Sequence, residues 1–190
     1  MKIGLLGGTF NPIHAGHLIL AQECWYRLKL DKVIFIPAYA PPHKQVEGDI
    51  SVPDRLNMLR LALHGDTRFE ISTYEIDQNK IVYSVDTIRF FIDKYGDSAE
   101  IFFLTGSDSS QDLFAWKNIE KILDLTTFII AVRPGWEKQS LYEQKVKRTE
   151  MPLIDISSSM IRDRIRKCEP IDYFVPSTVV QYIRDKGLYR

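Results

Sequence analysis

Two hydrophobic periods alternate along this chain. Lys2 to Leu6 is a short apolar run that ends in Gly7-Gly8, the pattern of a buried strand meeting a tight turn. From Ala15 to Leu28 the spacing becomes helical, with Leu18, Ala21, Trp25 and Leu28 on one stripe. Lys32 to Ile36 is a second β-rich run, stopped by Pro37. A strand, glycine turn, helix and strand within about 36 residues make a βαβ unit, so these two strands should be parallel.

The alternation continues. Ala38 to Ile50, with Pro41, Pro42 and Gly48, reads as a loop, and Ser51-Val52-Pro53 opens a helix through His64. Phe69 to Ile76 is β-like. Ser84 to Tyr95 is helical and ends at Gly96. Glu100 to Leu104 and Thr127 to Val132 are further buried strands, with helical segments between them to about Leu125. Trp136 to Glu150 is polar and is expected at the surface. Pro152 to Ile156 is β-like, and Ser157 to Arg166 and Pro176 to Lys186 read as closing helices. The expected fold is α/β: a doubly wound, Rossmann-like parallel sheet with helices on both faces. Ligands of such sheets bind beyond the carboxyl ends of the strands, at the switch point.

Composition narrows the function. Twenty-five Lys and Arg balance twenty-five Asp and Glu among 190 residues. A net charge of zero argues against coating a nucleic acid but leaves room for a local anion pocket. The apolar content and length suit one domain with its own core. No run is long enough to span a membrane and none reads as a signal peptide, so a cytoplasmic location is expected. Cys24 and Cys168 match no metal spacing and are expected as reduced, buried or half-buried thiols.

The first turn runs Gly7-Gly8-Thr9-Phe10-Asn11-Pro12-Ile13-His14-Ala15-Gly16-His17. Glycines at a strand-to-helix turn let backbone N–H groups approach a phosphate, and the helix start adds positive potential. The spacing is neither the dinucleotide G-x-G-x-x-G nor a Walker loop. His14 and His17 could be metal ligands or ordinary structural histidines; the reading that best fits a helix start is a pair of hydrogen-bond partners for phosphate. Ser157 reads as a helix cap with Arg162 about one and a half turns further on.

Gly-Thr-Phe-x-Pro-x-His-x-Gly-His closely resembles the signature of the nucleotidylyltransferase superfamily. Pro41-Pro42-His43-Lys44, Tyr83-Ser84-Val85-Asp86-Thr87, Gly106-Ser107-Asp108 with Trp116, Arg133-Pro134-Gly135, Ile156 to Arg162 and the terminal Gly187-Leu188-Tyr189 follow in the order seen in bacterial nicotinate-nucleotide adenylyltransferases. The resemblance spans nearly the whole chain and implies one nucleotidyltransferase domain over residues 1–190. It implies transfer of the adenylyl group of ATP to nicotinate mononucleotide, giving deamido-NAD and pyrophosphate by direct in-line attack.

Site residues follow from the same resemblance. His14, His17, Lys44 and Arg162 would be catalytic. Gly8, Thr9, Phe10, Ser157 and Arg133 would join them in holding ATP, and Ser84, Asp108 and Trp116 would bind nicotinate mononucleotide. His43 is given no role. Magnesium would ride mainly on the ATP phosphates, since no carboxylate cluster stands ready for it. The partners are small molecules, with no nucleic acid and no membrane; assembly into a homo-oligomer is left open. Ala38, Ser84, Lys117 and Asn11 depart from the commoner Asn, Thr, Tyr and Asp, and Lys117 bears on the choice of acid over amide. The alternatives are a sister enzyme for nicotinamide mononucleotide or phosphopantetheine, and a catalytically silent nucleotide-binding protein.

Overall fold

A computed structural model describes residues 1–41, 50–106, 113–132, 142 and 144–190. The elements run β1 (Lys2–Gly8), α1 (Ala15–Leu28), β2 (Lys32–Pro37), α2 (Val52–Leu63), β3 (Phe69–Ile71), α3 (Tyr74–Asp77), α4 (Ser84–Tyr95) and β4 (Glu100–Gly106). After a 3-10 turn at Leu113–Ala115 come α5 (Ile119–Leu125), β5 (Thr127–Val132), β6 (Val146–Glu150), α6 (Ser158–Arg166) and α7 (Ser177–Lys186). The strands form one six-stranded sheet in the order β3-β2-β1-β4-β5-β6, every neighbouring pair parallel. The order reverses between β1 and β4, which fixes the switch point there.

The central strands are apolar throughout because both faces of the sheet are covered. Ile3 and Leu5 of β1, Ile34 and Ile36 of β2, and Ile101 and Phe103 of β4 face a core closed by Val85, Ile88 and Phe91 of α4 and Ile122 of α5. Leu6, Val33, Phe35, Phe102 and Leu104 face the opposite way, onto α1, α2, α6 and α7 through Cys24, Met58, Leu59, Ile161 and Val179. Each such side chain stabilises the fold by about 1.5–3 kcal/mol on burial. The two-sided winding expected from the alternating elements is what the sheet shows.

Five local expectations change, the last of them the exposure of Cys168, which was expected to be at least half-buried. The strand at Phe69 stops at Ile71, and the chain makes one helical turn over Tyr74–Asp77. The expected polar surface over 136–150 contains β6, whose Val146 and Thr149 are buried while Lys147, Arg148 and Glu150 face outward. Charges on an edge strand are the usual guard against further pairing. Pro152 to Ile156 forms no strand. The stripe of α1 buries Leu20, Ala21 and Cys24, with Leu18, Trp25 and Leu28 at its margins. Burial raises the Cys24 thiol to about 12, whereas Cys168 is exposed beyond the end of α6. No helix of the described residues is long and apolar enough to cross a membrane.

Candidate active site

The turn from β1 to α1 stands beside the switch point and is held from behind by donors from four other parts of the chain. Ala38 N–H donates to the Gly8 carbonyl at 3.0 Å. Arg55 Nη1 donates to the Thr9 carbonyl at 2.7 Å, and Arg162 Nη1 to that of Asn11 at 2.9 Å. Ser158 Oγ donates to the Pro12 carbonyl at 2.9 Å, and the Tyr189 hydroxyl to Asn11 Oδ1 at 2.7 Å. A carbonyl and the N–H of the same trans peptide point in opposite directions. Drawing the carbonyls of Gly8, Thr9 and Pro12 backward therefore turns the N–H groups of Thr9, Phe10 and Ile13 the other way, an arrangement suited to an anion.

The turn's own residues fit this shape. Phe10 takes a left-handed backbone (φ 49°), and its buried ring lies over Gly8, where a Cβ would come within 2.9 Å of Cζ. The Asn11-Pro12 peptide is cis. His14 is the extended cap residue before α1 (φ −147°, ψ 170°), and Ala15 N–H donates to the Phe174 carbonyl at 2.8 Å. Gly16 leaves space for the His14 ring, which a Cβ there would meet at 3.0 Å.

The two imidazoles lie against each other with centroids 3.7 Å apart and planes tilted by 32°, and Phe10 meets His17 edge-on at 5.1 Å. His14 is 6% exposed, and its Nδ1 is buried without a hydrogen-bond partner among the described residues. Burial lowers its pKa to about 4. His17 is likewise pushed well below its ordinary value, by burial and then by His14. The backbone N–H of His14 donates to His17 Nδ1 at 3.3 Å. With Nδ1 accepting, the proton of a neutral imidazole sits on Nε2, which is left as a donor. At both positions burial disfavours the charged imidazole, so the pair acts through hydrogen bonding, as its place at the helix start suggested.

Ser157 caps α6 by accepting the Met160 N–H at 3.1 Å, as its position suggested. Arg162 is 7% exposed, and with Ser158 it brings the α6 start onto the turn at Asn11 and Pro12. Ser84 is the first residue of α4, after the cap residue Tyr83. Trp116 is half-buried and meets Phe103 and Phe128 edge-on at 5.8 and 6.0 Å. Next to it, Lys117 Nζ stands 3.9 Å from the centroid of the Tyr83 ring, so the Trp116 segment reaches the α4 start. The structure thus brings Gly8 to His17 together with Ser158 and Arg162, and joins the Trp116 segment to the α4 start through Lys117 and Tyr83, the neighbour of Ser84. Lys44, Asp108, Arg133 and His43 lie outside the described residues.

Four contributors escaped the sequence as site residues: Arg55, Ser158, Asn11 and Tyr189. Arg55 occupies the core stripe of α2 with Met58, Leu59 and Leu63, and that helical spacing was the available signal. Asn11 and Tyr189 were noted as motif members without their mutual bond. The departure at Ala38 leaves its contact to Gly8 intact, because the contact is made by the backbone. Among the described residues no three His, Cys, Asp or Glu side chains gather as a metal-binding group.

The model of the cytidylyltransferase-like family, a nucleotidyltransferase family, matches residues 5–164, and the chain belongs to it. Within it, the chain belongs with the nicotinate-nucleotide adenylyltransferases. It is 43% identical to a probable nicotinate-nucleotide adenylyltransferase of Halalkalibacterium halodurans, over all of this chain and 91% of that one. It is 42% identical to the protein so named in Geobacillus thermodenitrificans, over 99% of this chain and 86% of the relative. The fold is also that of the Plasmodium falciparum nicotinic acid mononucleotide adenylyltransferase complexed with NaAD: TM-score 0.79, 20% identity, 99% of this chain and 97% of that one.

Proposed function

We propose that this chain, acting as one domain, transfers the adenylyl group of ATP to nicotinate mononucleotide, releasing pyrophosphate and forming deamido-NAD. The observation that carries the reading is the turn from Gly8 to His14, whose carbonyls at Gly8, Thr9, Asn11 and Pro12 are all engaged behind it. The nucleophile is a phosphate monoester, whose second pKa near 6 makes it an anion at neutral pH. One of its oxygens bonds to the α-phosphorus of ATP. The bond from that phosphorus to the bridging oxygen breaks, and pyrophosphate leaves with the electron pair. No proton must be removed, so positioning and electrostatics supply the catalysis.

In this reading the Thr9 and Phe10 amides and the Nε2 proton of His17 donate to the phosphates. His14 packs against His17 and sets its ring plane. Arg162, Lys44 and Arg133 bring positive charge, and the α6 start, capped by Ser157, offers N–H groups. Ser84 at the α4 start, Asp108 and Trp116 hold the pyridine nucleotide, and Lys117 favours the acid over the amide through its charge. A divalent metal, proposed to be magnesium arriving with ATP, would be held mainly by phosphate oxygens and water and would supply neutralisation of the charge on the pyrophosphate. A cytoplasmic location, expected from the sequence, goes with this role.

The test is pyrophosphate release from ATP and magnesium with nicotinate mononucleotide, nicotinamide mononucleotide or phosphopantetheine as acceptor. Release with the first, and much less with the others, is expected. Release with another acceptor alone would assign the sister activity, and nucleotide binding without release from any would make the chain a silent binder.

A further inference from the structure

We propose that Arg55 is a positioning residue for adenylyl transfer: from inside the core it locks the turn after β1 to the segment after β2, and so sets the donors that ATP meets. The inference rests on the functional reading above and extends it to a residue outside the site's motifs. Arg55 is 1% exposed and shares the buried stripe of α2 with Met58, Leu59 and Leu63. An aliphatic side chain would satisfy the core at that position without desolvating a charge, which is costly. The guanidinium instead divides its donors. Nη1 holds the Thr9 carbonyl at 2.7 Å and Nη2 the Tyr39 carbonyl at 2.9 Å. Among the described residues its hydrogen bonds go to two backbone carbonyls and no carboxylate pairs with it.

Both carbonyls belong to segments that leave the carboxyl ends of adjacent central strands, β1 and β2. Thr9 lies in the phosphate turn; Tyr39 leads toward Lys44. The planar fork can grip both at once, which an ammonium on a flexible stem cannot do in the same geometry. Pulling on the Thr9 carbonyl has two effects on the peptide it belongs to. It turns the Phe10 N–H away from α2, and the cation polarises the peptide, which strengthens that N–H as a donor. Arg162 grips the Asn11 carbonyl two residues on, so a pair of guanidiniums from α2 and α6 brackets the turn.

The test uses Arg55→Met, Arg55→Lys and Arg55→Ala in the full chain, with circular dichroism melts as a fold check. Arg55→Met should lower kcat/KM for ATP about ten- to a hundred-fold, the scale of one charge-assisted hydrogen bond, while KM for nicotinate mononucleotide moves less than about threefold. Arg55→Lys, which keeps the charge and loses the fork, should fall between the two and decides the matter if the Met variant does not fold. Millimolar guanidinium should restore part of the Arg55→Ala rate, a rescue that general loss of packing would not give. Unchanged ATP kinetics in folded variants would overturn the proposal. So would losses that fall equally on both substrates, or an absence of rescue combined with activity tracking only the folded fraction. Should the native chain itself release no pyrophosphate, calorimetric binding of ATP to native and Arg55→Lys protein still answers for Arg55: weaker binding supports it and equal binding refutes it.

Discussion

The burial of His14 makes a quantitative prediction about stability and pH. In the unfolded chain its imidazole titrates at the ordinary 6.5, and in the folded protein at about 4. A group whose folded pKa is depressed stabilises fully above its unfolded value, and that contribution fades as pH falls through the folded one. The whole displacement, at about 1.4 kcal/mol per tenfold change in proton affinity, amounts to about 3 kcal/mol. Between pH 7 and pH 5 the share lost is about 2 kcal/mol, a sizeable part of the stability of an ordinary domain. Urea unfolding followed by tryptophan fluorescence, on the native protein and on His14→Asn, isolates the effect, because the carboxylates titrate alike in both. The native protein should lose about 2 kcal/mol more than the variant between those pH values. His17 adds in the same direction, and removing His14 relieves the part of its depression that His14 causes. Parallel losses in the two proteins would show that His14 titrates alike in the folded and unfolded chain, and the lowering of its pKa by burial would be refuted.

Three further outcomes are expected. His17→Ala should lower kcat by two or more orders of magnitude with little change in melting temperature, because the ring is half-buried and its Nε2 donor is lost; near-normal kcat would remove His17 from the mechanism. Gly16→Ala places a Cβ 3.0 Å from His14 Nδ1; crowding of about 1–3 kcal/mol is partly offset by up to about 1 kcal/mol of helix propensity. Its melting temperature should therefore shift modestly while kcat/KM drops at least about tenfold, and full activity would show that the His14 ring need not stay where it is. Lys117→Met should narrow the preference for nicotinate over nicotinamide mononucleotide by up to about fivefold, the scale of an exposed charge pair; an unchanged ratio of kcat/KM values would leave Lys117 as a packing partner of Tyr83.

The parts of the fold that could be read in the sequence are those whose causes are local. The buried strands announce themselves as unbroken apolar runs, and α1 starts and stops at the residues its spacing marks, Ala15 and Leu28. β6 was hidden because Val-Lys-Arg-Thr-Glu buries only two side chains, and its polar run becomes a strand only by pairing with β5. The site divides in the same way. Gly8 to His17 is contiguous and reads directly as an anion-binding turn. Arg55 looks like any helix arginine until the Thr9 carbonyl, 46 residues earlier, is placed against it. The lowering of both histidine pKa values was equally out of reach, since desolvation comes from packing that no linear motif records.

The turn's anchors give the site an unusual dependence on the far end of the polypeptide. Ser158, Arg162 and Tyr189 reach it across 146, 151 and 178 residues. Closing segments of that length comes late in folding, since entropy opposes it until the surrounding structure is in place. A chain that has paired β1 to β4 but has not docked α6 and α7 thus lacks the donors that shape the turn. Catalytic competence should appear only with the final cooperative step of refolding and disappear with the first step of unfolding, so turnover would report on the integrity of the entire molecule.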